Sequence, residues 1–143
     1  MKALKIVSLV LLATIMAGCS TDTGNDEEPK TLLCDISGVW VEYAYLSDGV
    51  FIDVSDAPGM VHYEFAIPDN FTQYIIDEQG QKDICSQGKW TFAPDTQSAH
   101  VEESRGWNLD IAFTFADTEH ATMTIKGRTP QSNIIIKAKR MQQ

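Results

Sequence analysis

The amino-acid sequence predicts an all-β domain over residues 34–143, an eight-stranded antiparallel up-and-down barrel. Three observations predict it. From Ile36 onward apolar residues recur with period two, without the 3.6-residue period of a helix. The apolar runs are joined by short, turn-like segments, which favour antiparallel neighbours in a meander. Each run has one apolar and one polar face, and closing the sheet on itself covers the apolar face and removes its edges. A two-sheet β-sandwich is the alternative, but it requires Greek-key crossings for which the short connections leave little room.

The runs follow in order at 38–46, 60–67, 70–77, 86–93, 98–103, 107–116, 120–128 and 132–141. In the second, Val61, Tyr63, Phe65 and Ile67 alternate with His62, Glu64 and Ala66. The sixth is the clearest: Trp107, Leu109, Ile111, Phe113 and Phe115 share one face, and Asn108, Asp110, Ala112 and Thr114 the other. Ala121, Met123 and Ile125 alternate with polar residues in the seventh, and Ile134, Ile136 and Ala138 oppose Lys137 and Lys139 in the eighth. Pro68-Asp69-Asn70, Pro94-Asp95-Thr96 and Thr129-Pro130-Gln131 carry the residues that turns require. The exception to short connection is 47–59, a segment long enough to be a lid or binding loop. A barrel of eight strands is just wide enough to be filled by its own side chains or to hold one small ligand.

The residues before the domain have a different character. Lys2 and Lys5 precede an apolar run of 11 residues, Ile6 to Met16. A bilayer-spanning helix needs about 20 such residues, so the run is too short to span and suits the core of a secretory leader. Met16-Ala17-Gly18-Cys19 follows at once. Small residues enter a peptidase cleft in extended form, and the Cys thiol is the group that takes a diacylglyceryl thioether. Leader, apolar core and Cys together resemble the bacterial lipoprotein signal, with Met16 where Leu is usual. The resemblance implies a signal peptide over residues 1–18, lipidation of Cys19, and attachment to a membrane through those acyl chains.

Ser20 rather than Asp follows the Cys, which in many Gram-negative lipoproteins leads to the outer membrane. Residues 19–33, with Asp22, Asp26, Glu27 and Glu28, form an acidic tether. This tether is similar to the export stretch of surface-exposed lipoproteins; a solvated linker on a periplasm-facing protein is the alternative. With Cys19 assigned to lipid, Cys34 and Cys85 remain in an oxidising compartment and read as one disulfide. It would close a loop of about 50 residues and contribute roughly 4 kcal/mol in the chain-entropy model. Two free thiols or a metal pair are the alternatives.

Gly38-Val39-Trp40 at the head of the first run resembles the G-x-W start of lipocalins. The resemblance implies that Gly38 lets the chain turn closely into the barrel and that Trp40 plugs its closed end. Arg140 stands where lipocalin-like chains carry a basic residue over that Trp. Gly88-Lys89-Trp90-Thr91-Phe92 is similar to a strand of bacterial lipocalin-like lipoproteins. The chain departs from the family in lacking a T-D-Y-type motif and a C-terminal helix. A lipocalin-like barrel implies an apolar pocket at the open end, and Tyr63, Phe65, Trp90, Trp107, Phe113 and Phe115 are its candidate lining. A core packed solid by the same aromatics is the alternative.

Composition narrows the partners. Residue usage is 43% hydrophobic and 22% charged, ordinary for a globular chain, and the formal charge is −9. Removing Lys2 and Lys5 with the leader takes it to −11. That charge, without a Lys/Arg cluster, excludes nucleic acid and anionic surfaces as expected partners. His62, His100 and His120 have no metal-ligand spacing, so no metal and no other cofactor is expected. Asp48, Asp53 and Asp56 lack the spacing of an EF-hand and read as turn formers. No serine sits in a G-x-S-x-G context and no phosphate loop occurs, so catalysis is not expected. The expected function is binding of a small apolar or amphipathic ligand by an outer-membrane lipoprotein. The alternative is an envelope protein–protein interaction subunit or inhibitor with a filled barrel. Tyr43 and Tyr45, opposite Trp40 in phase, form a candidate partner stripe with Val39 and Val41.

Overall fold

The computed structural model describes residues 35–127 and 133–142. The leader, Cys19, the tether, Cys34 and its pairing with Cys85, and the Thr129-Pro130-Gln131 turn lie outside the described residues. Among the described residues there is no helix, and nine strands follow one another in the chain. They are β1 (Gly38–Ser47), β2 (Val50–Asp53), β3 (Val61–Ala66), β4 (Asn70–Ile76) and β5 (Lys82–Ala93), then β6 (Ser98–Glu103), β7 (Asn108–Phe115), β8 (His120–Lys126) and β9 (Ile134–Arg140).

Every strand pairs antiparallel with its neighbour, and β9 returns to pair with β1. β1, β3, β4, β5, β6, β7, β8 and β9 thus close an up-and-down barrel of eight strands, with β2 as one extra strand on the edge of β1. The seam between first and last strands rules out the open two-sheet sandwich. Closure follows from the alternation: Phe65, Ile111, Phe113, Met123, Ile136 and Ala138 all turn inward and are buried, while residues between them face solvent.

Two stretches depart from the sequence reading. Segment 47–59 is not wholly a loop, because β2 folds back on β1 through the two-residue turn Asp48-Gly49, with Ser47 opposite Val50. Both turn residues have positive φ, 50° and 80°, the conformation of the hairpin turn that Asp-Gly favours. β5 begins at Lys82 rather than 86, because a bulge interrupts its alternation: Gln73 pairs with Ser86 but Tyr74 pairs with Ile84, leaving Cys85 as the extra residue.

A second bulge lies in β1. Its register against β9 shifts between Glu42 and Ala44, so Glu42 opposes the buried Ala138 and Tyr45 opposes the buried Ile136. Tyr43 instead sets its ring edge-on to His120, 6.4 Å away, on the side where Val41 and His120 both pair with Lys139. The register shift falls between Tyr43, which packs on His120, and Tyr45, which is 36% exposed.

Candidate functional site

The two ends of the barrel are built differently. At the end where β1 begins and β9 finishes, Gly38 enters with φ +113°, a backbone that L side chains rarely adopt. Trp40 is fully buried, and its indole Nε1 donates to the carbonyl of Ile36 at 2.9 Å. Arg140 stands opposite Trp40 in the register, lays its guanidinium over the indole and donates to the carbonyl of Asp35. Phe113 is the hub of the aromatic packing, with ring centres 6.1 Å from Trp40, 5.9 Å from Phe65, 6.3 Å from Phe92 and 5.6 Å from Phe115. Phe65 meets Trp90 edge-on at 5.7 Å, and the Trp90 indole Nε1 donates to the carbonyl of Ala66. This end is filled. Of the six aromatics expected to line a pocket, Phe65, Trp90, Phe113 and Phe115 lie in the plug.

Tyr63 and Trp107 lie elsewhere. They border a cavity of about 300 Å³ at the opposite end, where β6 turns into β7 and β8 finishes. One wall is apolar, made by Leu109, Ile125 and Ile134. The other wall is a row set by register: Tyr63 opposes Gln73, and Gln73 opposes Ser86, so the three share the inner face. Tyr63 is only 3% exposed. Burial, then the nearby Glu42 and Cys85, push its hydroxyl well above the usual tyrosine range, so it stays protonated and able to donate. The Ser86 hydroxyl oxygen is buried without a hydrogen-bond partner among the described residues. Cys85 is exposed and borders the same cavity from the β5 bulge. Asp35 is held by Arg140 at the plugged end.

Two carboxylates face the interior. Glu103 opposes Gly88, which opposes the buried Phe71, so Glu103 points inward over a position with no side chain. A Cβ at Gly88 would overlap the Glu102 backbone carbonyl, so only glycine fits this close approach of β5 and β6. Glu42 is in phase with Trp40, and burial raises its carboxyl above the usual carboxylate range. Arg105 lies on the exposed turn after Glu103, and Trp107, 48% exposed, stands at the rim. The sequence places Leu109, Ile125 and Ile134 on apolar strand faces but does not group them at the mouth, and it assigns Gln73, Ser86 and Glu103 no binding role. The parity of Glu42 with Trp40, and of Glu103 with Ala99 and Val101, was the available signal for an inward acid.

A wider hollow of about 700 Å³ lies outside the plugged end, bordered by Glu64, Glu119 and Arg140 among others. Its lining is the more polar of the two, which suits water better than an apolar ligand. The histidines are apart: His62 stacks on Tyr74 at 4.8 Å, His100 meets Asp110 at 2.7 Å, and His120 meets Asp117 at 3.0 Å. Asp53 accepts from the backbone and hydroxyl of Ser55, a turn contact that holds its carboxyl below the usual range. Chemically, the mouth offers an apolar wall, an aromatic rim, a few hydrogen-bonding groups and negative charge, the means of non-covalent capture. No family model matches this chain, and no curated protein matches it.

Proposed function

We propose that this chain is a lipocalin-like lipoprotein that binds a small apolar or amphipathic ligand in the open end of its barrel without catalysis. The observation that supports the reading is the contrast between the ends: one packed with aromatic rings, the other holding a cavity of about 300 Å³ with a largely apolar lining. Anchoring through Cys19, in the outer membrane and facing the cell surface, rests on the leader and the acidic tether. Titration with a fluorescent apolar probe tests the binding. Enhanced probe emission with quenching of tryptophan emission is expected; a folded protein that leaves the probe in water contradicts it.

A second reading, an interaction subunit of the envelope, is favoured by β2. Its Val50, Phe51 and Ile52 are 66%, 38% and 42% exposed, and β2 ends the sheet order with β1 as its neighbour. Such an edge is a template for an added strand. Pull-down from envelope extracts, repeated with Ile52→Lys, separates the readings: a specific partner lost in the variant supports the interaction subunit, and unchanged capture counts against this edge.

A further inference from the structure

We propose that the ligand of the mouth is an amphipathic cation, with its ammonium group held by Glu103 and its apolar body against Leu109, Ile125 and Ile134. The proposal rests on the mouth being the ligand site and adds the sign of the ligand's charge. Three features lead to it. Glu103 lines the cavity and turns inward above the bare backbone of Gly88. Glu42, on the strand diametrically across the barrel, is in phase with the fully buried Trp40 and close enough to Tyr63 to act on its hydroxyl. Among the described residues neither carboxylate has an ion-pair partner. Burial makes the unpaired charge of Glu42 costly, and a cation entering the mouth beside Glu103 brings a compensating charge into that interior.

An anionic amphiphile meets the opposite situation. It would bring a further negative charge against Glu103, in a chain whose formal charge is −9. Arg105 borders the cavity too, but from an exposed turn two residues beyond Glu103, where water screens it.

The test compares octylamine (protonated at neutral pH), octanol and octanoate on the full chain, each read by displacement of a neutral fluorescent probe. Octylamine is expected to bind about tenfold more tightly than octanol, the scale of one charge-assisted hydrogen bond, and octanoate more weakly than either. Glu103→Gln should erase most of the octylamine-to-octanol ratio, Glu42→Gln should lower it, and added salt should narrow it. Octanol or octanoate binding as tightly as octylamine to the unaltered protein would overturn the cation proposal while leaving the mouth as an apolar site. Binding of none of the three removes the ligand-binding reading itself. An unchanged ratio in a folded Glu103→Gln protein would overturn the role given to that carboxylate.

Discussion

The Arg140 guanidinium lies 4.7 Å from the centre of the Trp40 ring, spanning the seam where the last strand meets the first. The same side chain donates to the carbonyl of Asp35, so one residue ties strand closure to the chain that caps the plug. Removing it takes away a cation–π contact and a charge-assisted hydrogen bond. Arg140→Ala is expected to lower unfolding free energy by about 1–3 kcal/mol in urea, and Arg140→Lys by less. No change in the urea midpoint for Arg140→Ala would show that the seam is held by backbone pairing alone.

Phe113 and Trp107 share a face of one run of sequence but differ in depth. Phe113 is buried against four aromatic rings, and Trp107 is half exposed at the rim. Phe113→Ala should cost about 3–5 kcal/mol of stability. Trp107→Ala should cost well under half of that and weaken probe binding instead. Equal losses of stability in thermal unfolding would contradict the assignment of one residue to the plug and the other to the mouth.

Gly88 should tolerate no side chain. Gly88→Ala forces β5 and β6 apart where a methyl would meet the Glu102 carbonyl, and about 1–3 kcal/mol of destabilisation is expected by denaturant titration. Gly80→Ala is the comparison, since space around that residue is open and its cost comes from φ +76° alone.

Glu42 gives the fold a pH dependence of known sign. Its carboxyl is raised by burial, so the folded chain holds that proton more tightly than the unfolded chain does. The cost of the desolvated charge is complete above the raised folded-state pKa. It fades as pH falls toward the ordinary carboxylate range. Asp35 runs the other way: hydrogen bonds from Ser37 lower its carboxyl, so its contribution is lost as pH falls through its folded-state pKa. Measured as a difference, Glu42→Gln should be more stable than the natural chain at neutral pH, and the gap should close on acidification to about pH 4. A gap that is constant with pH would mean that Glu42 carries no desolvated charge.

The barrel was legible in the sequence because period-two alternation reports which face of a strand is buried. Residues 98–103 and the core of 107–116 illustrate this. Alternation is blind to depth, and that is why Phe65, Trp90, Phe113 and Phe115 were grouped with Tyr63 and Trp107 as one lining. Bulges defeated it too. An extra residue at Cys85 hid the start of β5, and the shift between Glu42 and Ala44 separated Tyr43 from Tyr45. The hairpin to β2 was readable in Asp48-Gly49, but its exposed strand has no buried face to alternate. Glu103 shares the parity of Ala99 and Val101, but at the end of its run an inward acid and a solvated strand end look alike in sequence, and the cavity beside it is made by other strands.

Filling the mouth tests most directly whether it is the ligand site. Leu109→Trp puts a larger ring into the cavity between β7 and its apolar neighbours Ile125 and Ile134. Probe affinity, measured by fluorescence titration beside the thermal midpoint, should fall by about tenfold or more while the barrel remains as stable as before. Undiminished probe binding by that folded variant would place any bound molecule somewhere other than the mouth.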